Sequence, residues 1–124
     1  MRNKSERRDL EQFLPLTPAV FDILLALWDG EWHGYGIMQE VRKESDGQVV
    51  LLPGTLYRAL SRLLEAGLVE ESEERPDPEL DDERRRYYRL TALGRRVLKA
   101  EAARLEQQVN AARAKRLIKE TKRV

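Results

Sequence analysis

The sequence predicts a mainly helical α+β fold with three short helices, one small β-hairpin and a long final helix. Four segments carry apolar residues at spacings of three and four, as amphipathic helices do. Between the third and fourth segments the period changes to two, which is typical of strands. The last segment, from Thr91 onward, contains no proline, so nothing interrupts a long helix there.

Length and composition narrow the class of protein. A chain of 124 residues with 41% hydrophobic residues suits one domain with a modest core. The absence of cysteine and the single histidine exclude disulfides, thiolate metal sites and histidine-rich metal sites, so we expect no metal or cofactor. No apolar run reaches the roughly 20 residues of a membrane span, and the N-terminus has no secretory signal. We therefore expect a soluble, cytoplasmic protein without a membrane partner.

The first helix is predicted within "LTPAVFDILLALWDG". Thr17 is a suitable N-cap, Pro18 suits the first helical position, and Gly30 suits the exit. Residues 1–16, which precede it, are expected to form an arm or a short helical turn. The helix has apolar residues on most sides, so it should lie in the middle of the core. Its apolar positions are Val20, Phe21, Ile23, Leu24, Leu25, Leu27 and Trp28.

Two further helices follow. In "YGIMQEVRKES", Ile37 and Val41 should face the core, and Gln39 should remain outside. In "PGTLYRALSRLLEAG", the leucines fall on one face, and Gly67 should end the helix. The opposite face is polar and free to bind something. It carries Tyr57, Arg58, Ser61, Arg62 and Glu65.

Two short strands, "LVEES" and "RRRYYRL", are separated by a loop rich in acid and proline. Side chains alternate between the faces of a strand. If Leu90 points inward, Tyr88 should do so too, whereas Tyr87 and Arg89 should point outward.

The final helix is predicted to run about 30 residues and some 45 Å, longer than the domain it leaves. Its apolar stripe needs a partner, and a second copy of the same helix is the simplest one. The stripe contains Leu98, Ala102, Leu105, Val109 and Ala112.

This order of elements is that of a winged helix-turn-helix, in which the third helix enters the major groove of DNA. We place the winged domain at residues 17–90 and the dimerisation helix at residues 91–124.

The charged residues are unevenly distributed along the chain. Residues 70–86 hold nine acidic and four basic side chains, whereas residues 95–124 hold ten basic and three acidic ones.

The motifs "HGYGIMQEV", "GTLYRALSRLLEAGLVEE" and "RRYYRLTALGRRVL" resemble the PadR-like transcriptional regulators. The resemblance covers about residues 16–98. It implies a dimeric winged-helix repressor of the subgroup with a short C-terminal region. It also places Tyr35, Thr55, Tyr57, Arg58 and Arg62 at the DNA and the arginines before the tyrosine pair at the base of the wing. With the polar helix faces added, the expected DNA-binding residues are Tyr35, Gln39, Thr55, Tyr57, Arg58, Ser61, Arg62, Arg84, Arg85 and Arg86.

Several other interpretations stay open at this stage. Trp28 and Trp32 are expected either to pack in the core or to line a pocket for a small-molecule effector. His33 is expected to bond to the backbone rather than to a metal. Because residues 34–66 carry four basic and four acidic side chains, a protein–protein adaptor is the rival to a DNA-binding regulator. We see no set of nucleophile, base and orienting group, so we do not expect an enzyme.

Overall fold

The computed structural model of the chain describes residues 9–72 and 86–119. The predicted order of three helices, a hairpin and a long final helix is confirmed, with one additional short strand. The elements are α1 (Pro18–Ala26), β1 (Trp32–His33), α2 (Gly34–Glu44), α3 (Pro53–Glu65), β2 (Val69–Ser72), β3 (Tyr87–Leu90) and α4 (Ala92–Ala114).

Helix α1 is the central element of the core, as predicted. The Thr17 hydroxyl accepts a hydrogen bond from the Val20 N–H at 3.2 Å, which caps the helix, and Pro18 occupies its first turn. Ile23 and Leu24 are completely buried. The helix packs against α2, α3 and α4.

Helices α2 and α3 bury one face each. His33 caps α2, because its Nδ1 accepts a hydrogen bond from the Gly36 N–H at 3.0 Å. This confirms the predicted backbone role of the histidine. Gly67 adopts φ +77° just after α3, a conformation that favours glycine. Each buried leucine of α3 stabilises the fold by about 1.5–3 kcal/mol. The buried residues of the two helices include Ile37, Val41, Leu56, Leu60 and Leu63.

The sheet differs from the predicted hairpin. Strand β1 joins it, so the order is β1–β3–β2, with Trp32 opposite Tyr88 and His33 opposite Tyr87. A strand of two residues is too short to produce a period in the sequence. Tyr87, predicted to point outward, is nevertheless buried. This side chain is only 7% exposed because β1 lies beside it and the His33 ring meets its ring edge-on, with centroids 5.3 Å apart.

Helix α4 is anchored at its start and free at its end. The Thr91 N–H donates to the Leu68 carbonyl at 3.1 Å, and the Thr91 hydroxyl donates to the Gly67 carbonyl at 2.6 Å. The helix ends at Ala114 after 23 residues, which corrects the predicted length of about 30. No helix among the residues described here is long and apolar enough to cross a membrane.

The predicted dimer stripe on α4 is shortened by one residue. Leu98 is 4% exposed and belongs to the core of its own protomer, so it is not available to a second chain. Leu98 fits the spacing of the stripe because the core-facing residues at the start of α4 and the apolar residues of its later part lie on nearly the same side of the helix. Beyond it, Leu105 and Ala112 are half-buried, and Ala102 and Val109 are exposed.

The N-terminal arm, here residues 9–16, packs onto the domain. It contains a helical turn around Leu10, and Leu10 is buried in the core. Phe13, Leu14 and Leu16 pack against the same cluster. The sequence predicted no role for the arm, and its contacts give it a structural one.

Candidate nucleic-acid interface

The outward face of α3 is exposed and polar, as its spacing predicted. Arg58, Ser61 and Arg62 are exposed, and Tyr57 is 51% exposed. Because the leucines on the other face hold α3 on the core, these four side chains are on the face exposed to solvent. The face is the right size for the major groove, which accommodates one α-helix.

One edge of this face meets the first turn of α2. A Cβ added to Gly34 would lie 2.9 Å from Tyr57 Cζ, so a glycine lets the Tyr57 ring sit this close. Tyr35, the next residue, is 58% exposed, and its ring stacks on His33 with centroids 6.4 Å apart. The structure therefore brings Tyr35 and Tyr57, 22 positions apart in the sequence, to one surface.

A groove continues this surface along α2. Gln39 lines it together with Tyr35. The sequence analysis missed the exposed apolar side chains Val50 and Leu52, which are 60% and 66% exposed before α3. Pro53 disfavours a helical conformation at the residue before it, so this segment is extended and its side chains alternate between two sides. That alternation was the signal in the sequence that could have revealed Val50 and Leu52. The other residues of the groove are Met38, Arg42, Lys43 and Leu51.

A second groove runs along the opposite edge of α3, between this helix and the start of α1. Arg58 and Arg62 both line it, together with Thr55, which is half-buried. Leu16 and Thr17 form the facing wall. The two arginines thus lie at the side of α3 where it meets the N-terminal arm.

The base of the wing carries paired charges. The Arg86 guanidinium donates to the Glu71 carboxylate at 3.3 Å, and both side chains are largely exposed. Exposed ion pairs contribute roughly 0–1 kcal/mol, so a phosphate can compete for Arg86. The predicted residues Arg84 and Arg85 lie outside the described residues.

The next pair in the sheet is more extensive. Arg89 Nε donates to Glu70 at 2.9 Å and Nη1 donates to Glu31 at 3.5 Å, and these bonds, led by the one to Glu70, raise the pKa of Arg89. Glu31 also accepts a hydrogen bond from the Ser72 hydroxyl at 2.6 Å. The positive charge of Arg89 on the sheet is therefore already matched by two carboxylates.

Another side of the domain is acidic. Asp22 of α1, Asp29 after its end and Glu40 of α2 lie close to Glu44 of α2. Burial raises the pKa of Glu44, and the three neighbouring carboxylates raise it further. A surface of this charge repels phosphate.

The two tryptophans do not form one recognisable pocket wall. The Trp28 ring is covered by Arg95, whose Cζ lies 4.8 Å from the centroid, and by Lys99, whose Nζ lies 5.6 Å away. Trp32 packs against the core and against Gly36, and its Nε1 is buried without a partner among the described residues. Both contacts favour core packing, and the effector pocket stays a prediction.

The sequence and fold of the chain are similar to those of known proteins. Residues 23–100 match the model of the transcriptional regulator PadR-like family. The chain belongs to this family. Its members are transcriptional regulators rather than enzymes. This confirms the expectation from the sequence that the chain is not an enzyme.

Individual similarities agree with the family assignment. A PadR family transcription regulator from Clostridium difficile is 27% identical, with a TM-score of 0.60 over 76% of this chain and 95% of that one. Bacillus subtilis PadR in complex with operator DNA has the same winged-helix fold at 18% identity, with a TM-score of 0.55 over 87% of this chain and 51% of that one. An uncharacterised 37.1 kDa protein of a Streptomyces fradiae transposon is 40% identical over 80 residues. These are 64% of this PadR-family chain, which spans about a fifth (21%) of that protein's length.

Proposed function

We propose that this PadR-like chain is a sequence-specific DNA-binding repressor that acts as a homodimer on a pseudo-palindromic operator. The observation that carries the proposal is the exposed face of α3, with Arg58, Ser61 and Arg62 on a helix held firmly by its leucines. Arginine and serine can read base edges or hold phosphates. Since such a regulator acts at the chromosome, the proposal includes a cytoplasmic location.

The surface around α3 has the features of a DNA-binding face. Tyr35 and Gln39 extend the contact along α2, where they can reach the phosphate backbone beside the groove. The exposed side chains of Val50 and Leu52 offer apolar contacts of the kind that thymine methyl groups receive. The complex of Bacillus subtilis PadR with operator DNA supports this use of the fold.

The dimer is supported by the free part of α4. After Glu101 no residue of α4 is fully buried, and Leu105, Val109 and Ala112 continue an apolar stripe there. Two chains joined along this stripe would be related by a twofold axis. Their α3 helices would then read half-sites about one helical turn apart, roughly 10 base pairs.

The direct test is a selection of bound sequences from a randomised double-stranded DNA library, followed by affinity measurements across a salt series. We expect an inverted repeat, and an affinity that falls steeply with salt because each neutralised phosphate adds about 0.9 to the logarithmic slope. An adaptor that recognises protein would enrich no sequence. Folded protein without enrichment would overturn the proposal.

Replacing Arg58 with alanine should weaken operator binding by about 10- to 100-fold, since a good base contact contributes roughly 1–3 kcal/mol. The dimer should stay intact, because Arg58 lies on α3 and not on the α4 stripe. Fluorescence anisotropy with labelled operator measures the affinity, and Arg62→Ala should show a similar loss.

Arg96→Ala is the matched control for this experiment. It removes the same charge from an exposed position on α4, and its affinity should stay within about threefold of the wild type. If Arg58→Ala and Arg62→Ala both bind the operator as tightly as the control, α3 is not the reading helix.

A further inference from the structure

The most deeply buried charge in the described part of the chain is the carboxylate of Glu101, which is 1% exposed on α4. One of its oxygens accepts the Arg104 guanidinium N–H, and the other accepts the Leu16 backbone N–H at 2.6 Å. The bond from Arg104 lowers the pKa of Glu101, so the group is a carboxylate at neutral pH. Both acceptor atoms are thus engaged, one within α4 and one across 85 positions of sequence.

The position of Glu101 along α4 gives this bond its importance. The buried residues of α4 are Gly94, Val97, Leu98 and Glu101, so the carboxylate marks the point where the helix leaves the domain. Leu16 precedes Thr17, the N-cap of α1, and both residues form the wall of the groove that Arg58 and Arg62 line. Glu101 therefore joins the exit of α4 to the start of α1, beside the groove that α3 borders.

We propose that Glu101 is a positioning residue for operator recognition, because by tying α4 to Leu16 it sets the separation of the two α3 helices in the dimer. The inference rests on the proposed dimeric DNA binding. About 16 Å of helix separates Glu101 from Ala112 at the end of the stripe. A rotation of about 10° at Glu101 would shift that end by roughly 3 Å, comparable to the rise of about 3.4 Å per base pair.

Glu101→Gln is the appropriate change, because glutamine keeps the size but has a single acceptor oxygen. Its NH₂ group must face either the Leu16 N–H or Arg104, both of which are donors. One of the two bonds is therefore lost. Glu106→Gln is the matched control, since it makes the same chemical change at an exposed position about one and a half turns further along α4.

The experiment measures affinity for a set of inverted repeats built from the selected half-site, with the native spacing and with one base pair added or removed. The wild type and Glu106→Gln should prefer the native spacing by about 10-fold or more. Glu101→Gln should retain a dimer by sedimentation equilibrium but lose the preference to about threefold or less. Circular dichroism at the assay temperature verifies that each variant is folded.

Two results would overturn the inference alone. They are an unchanged spacing preference in Glu101→Gln, and an equal loss of affinity at all spacings, which a merely structural role would produce. If Glu101→Gln does not fold, Glu101→Asp replaces it, because aspartate keeps the charge but is one methylene shorter, so its carboxylate cannot reach both the Leu16 N–H and Arg104 in the same geometry. An unchanged preference in that variant rejects the inference. A wild type that binds no inverted repeat would reject the proposed function itself, and this inference with it.

Discussion

Replacing Leu105 with glutamate is expected to separate the proposed dimer into monomers and to reduce operator affinity by about 100-fold or more. The side chain is half-buried within one chain and lies between Ala102 and Val109 on the free part of α4. In a dimer along this stripe, the introduced carboxylate would be buried against its own copy without a partner, which costs several kcal/mol. A monomer loses the gain in effective concentration that links two half-sites. Sedimentation equilibrium measures the mass, and anisotropy measures the affinity.

Asn110→Glu is the control for this prediction. It adds the same charge to α4 at an exposed position that helical geometry places roughly 140° around the helix from Leu105. It should leave both the mass and the affinity unchanged. A dimer that persists in Leu105→Glu would show that the stripe is not the interface.

Replacing Gly94 with alanine is expected to destabilise the fold by about 3 kcal/mol or more, at the upper end of the cost of overpacking. A Cβ at this position would overlap the Leu68 carbonyl oxygen and lie 3.0 Å from the Leu68 carbonyl carbon. These are backbone atoms that cannot rotate away. Relief requires α4 to move off the turn after α3, which would break the Thr91 bonds to Leu68 and Gly67.

Gly54→Ala gives the comparison. Gly54 lies in the first turn of α3, and an added Cβ meets none of the described atoms within 4 Å. Alanine there should leave stability unchanged or raise it by up to about 1 kcal/mol. In thermal unfolding at one protein concentration, the midpoint temperature of Gly94→Ala should lie roughly 10 °C below that of the wild type. Equal midpoints for the two variants would mean that the Gly94 contact is not rigid.

Much of the fold was predictable because its signals are local. Thr17 and Pro18 mark the start of α1, and Gly67 marks the end of α3, through backbone preferences that act within a few residues. The leucines of α3 face the core because a helix places residues three and four apart on one side. The polar face with Arg58 and Ser61 follows from the same geometry.

Contacts between distant segments were not predictable in this way. Strand β1 forms because Trp32 and His33 pair with β3. Two residues are too few to show the alternation of a strand in the sequence. Tyr87 is buried because β1 covers it, although its parity placed it outside. The pattern on α4 gave no indication that Leu98 belongs to the core whereas Leu105 continues beyond it.

For this protein, the sequence by itself determined the helices, their buried and exposed faces, and the resemblance that placed DNA recognition on α3. Tertiary structure alone decided where α4 leaves the domain, which tyrosines share a surface, and which backbone group the Glu101 carboxylate binds. Periodicity and capping depend on residues within one or two helical turns of each other, so both can be recognised directly in the sequence. The bond from Leu16 to Glu101 crosses 85 positions and forms only when the packed core brings the two segments together.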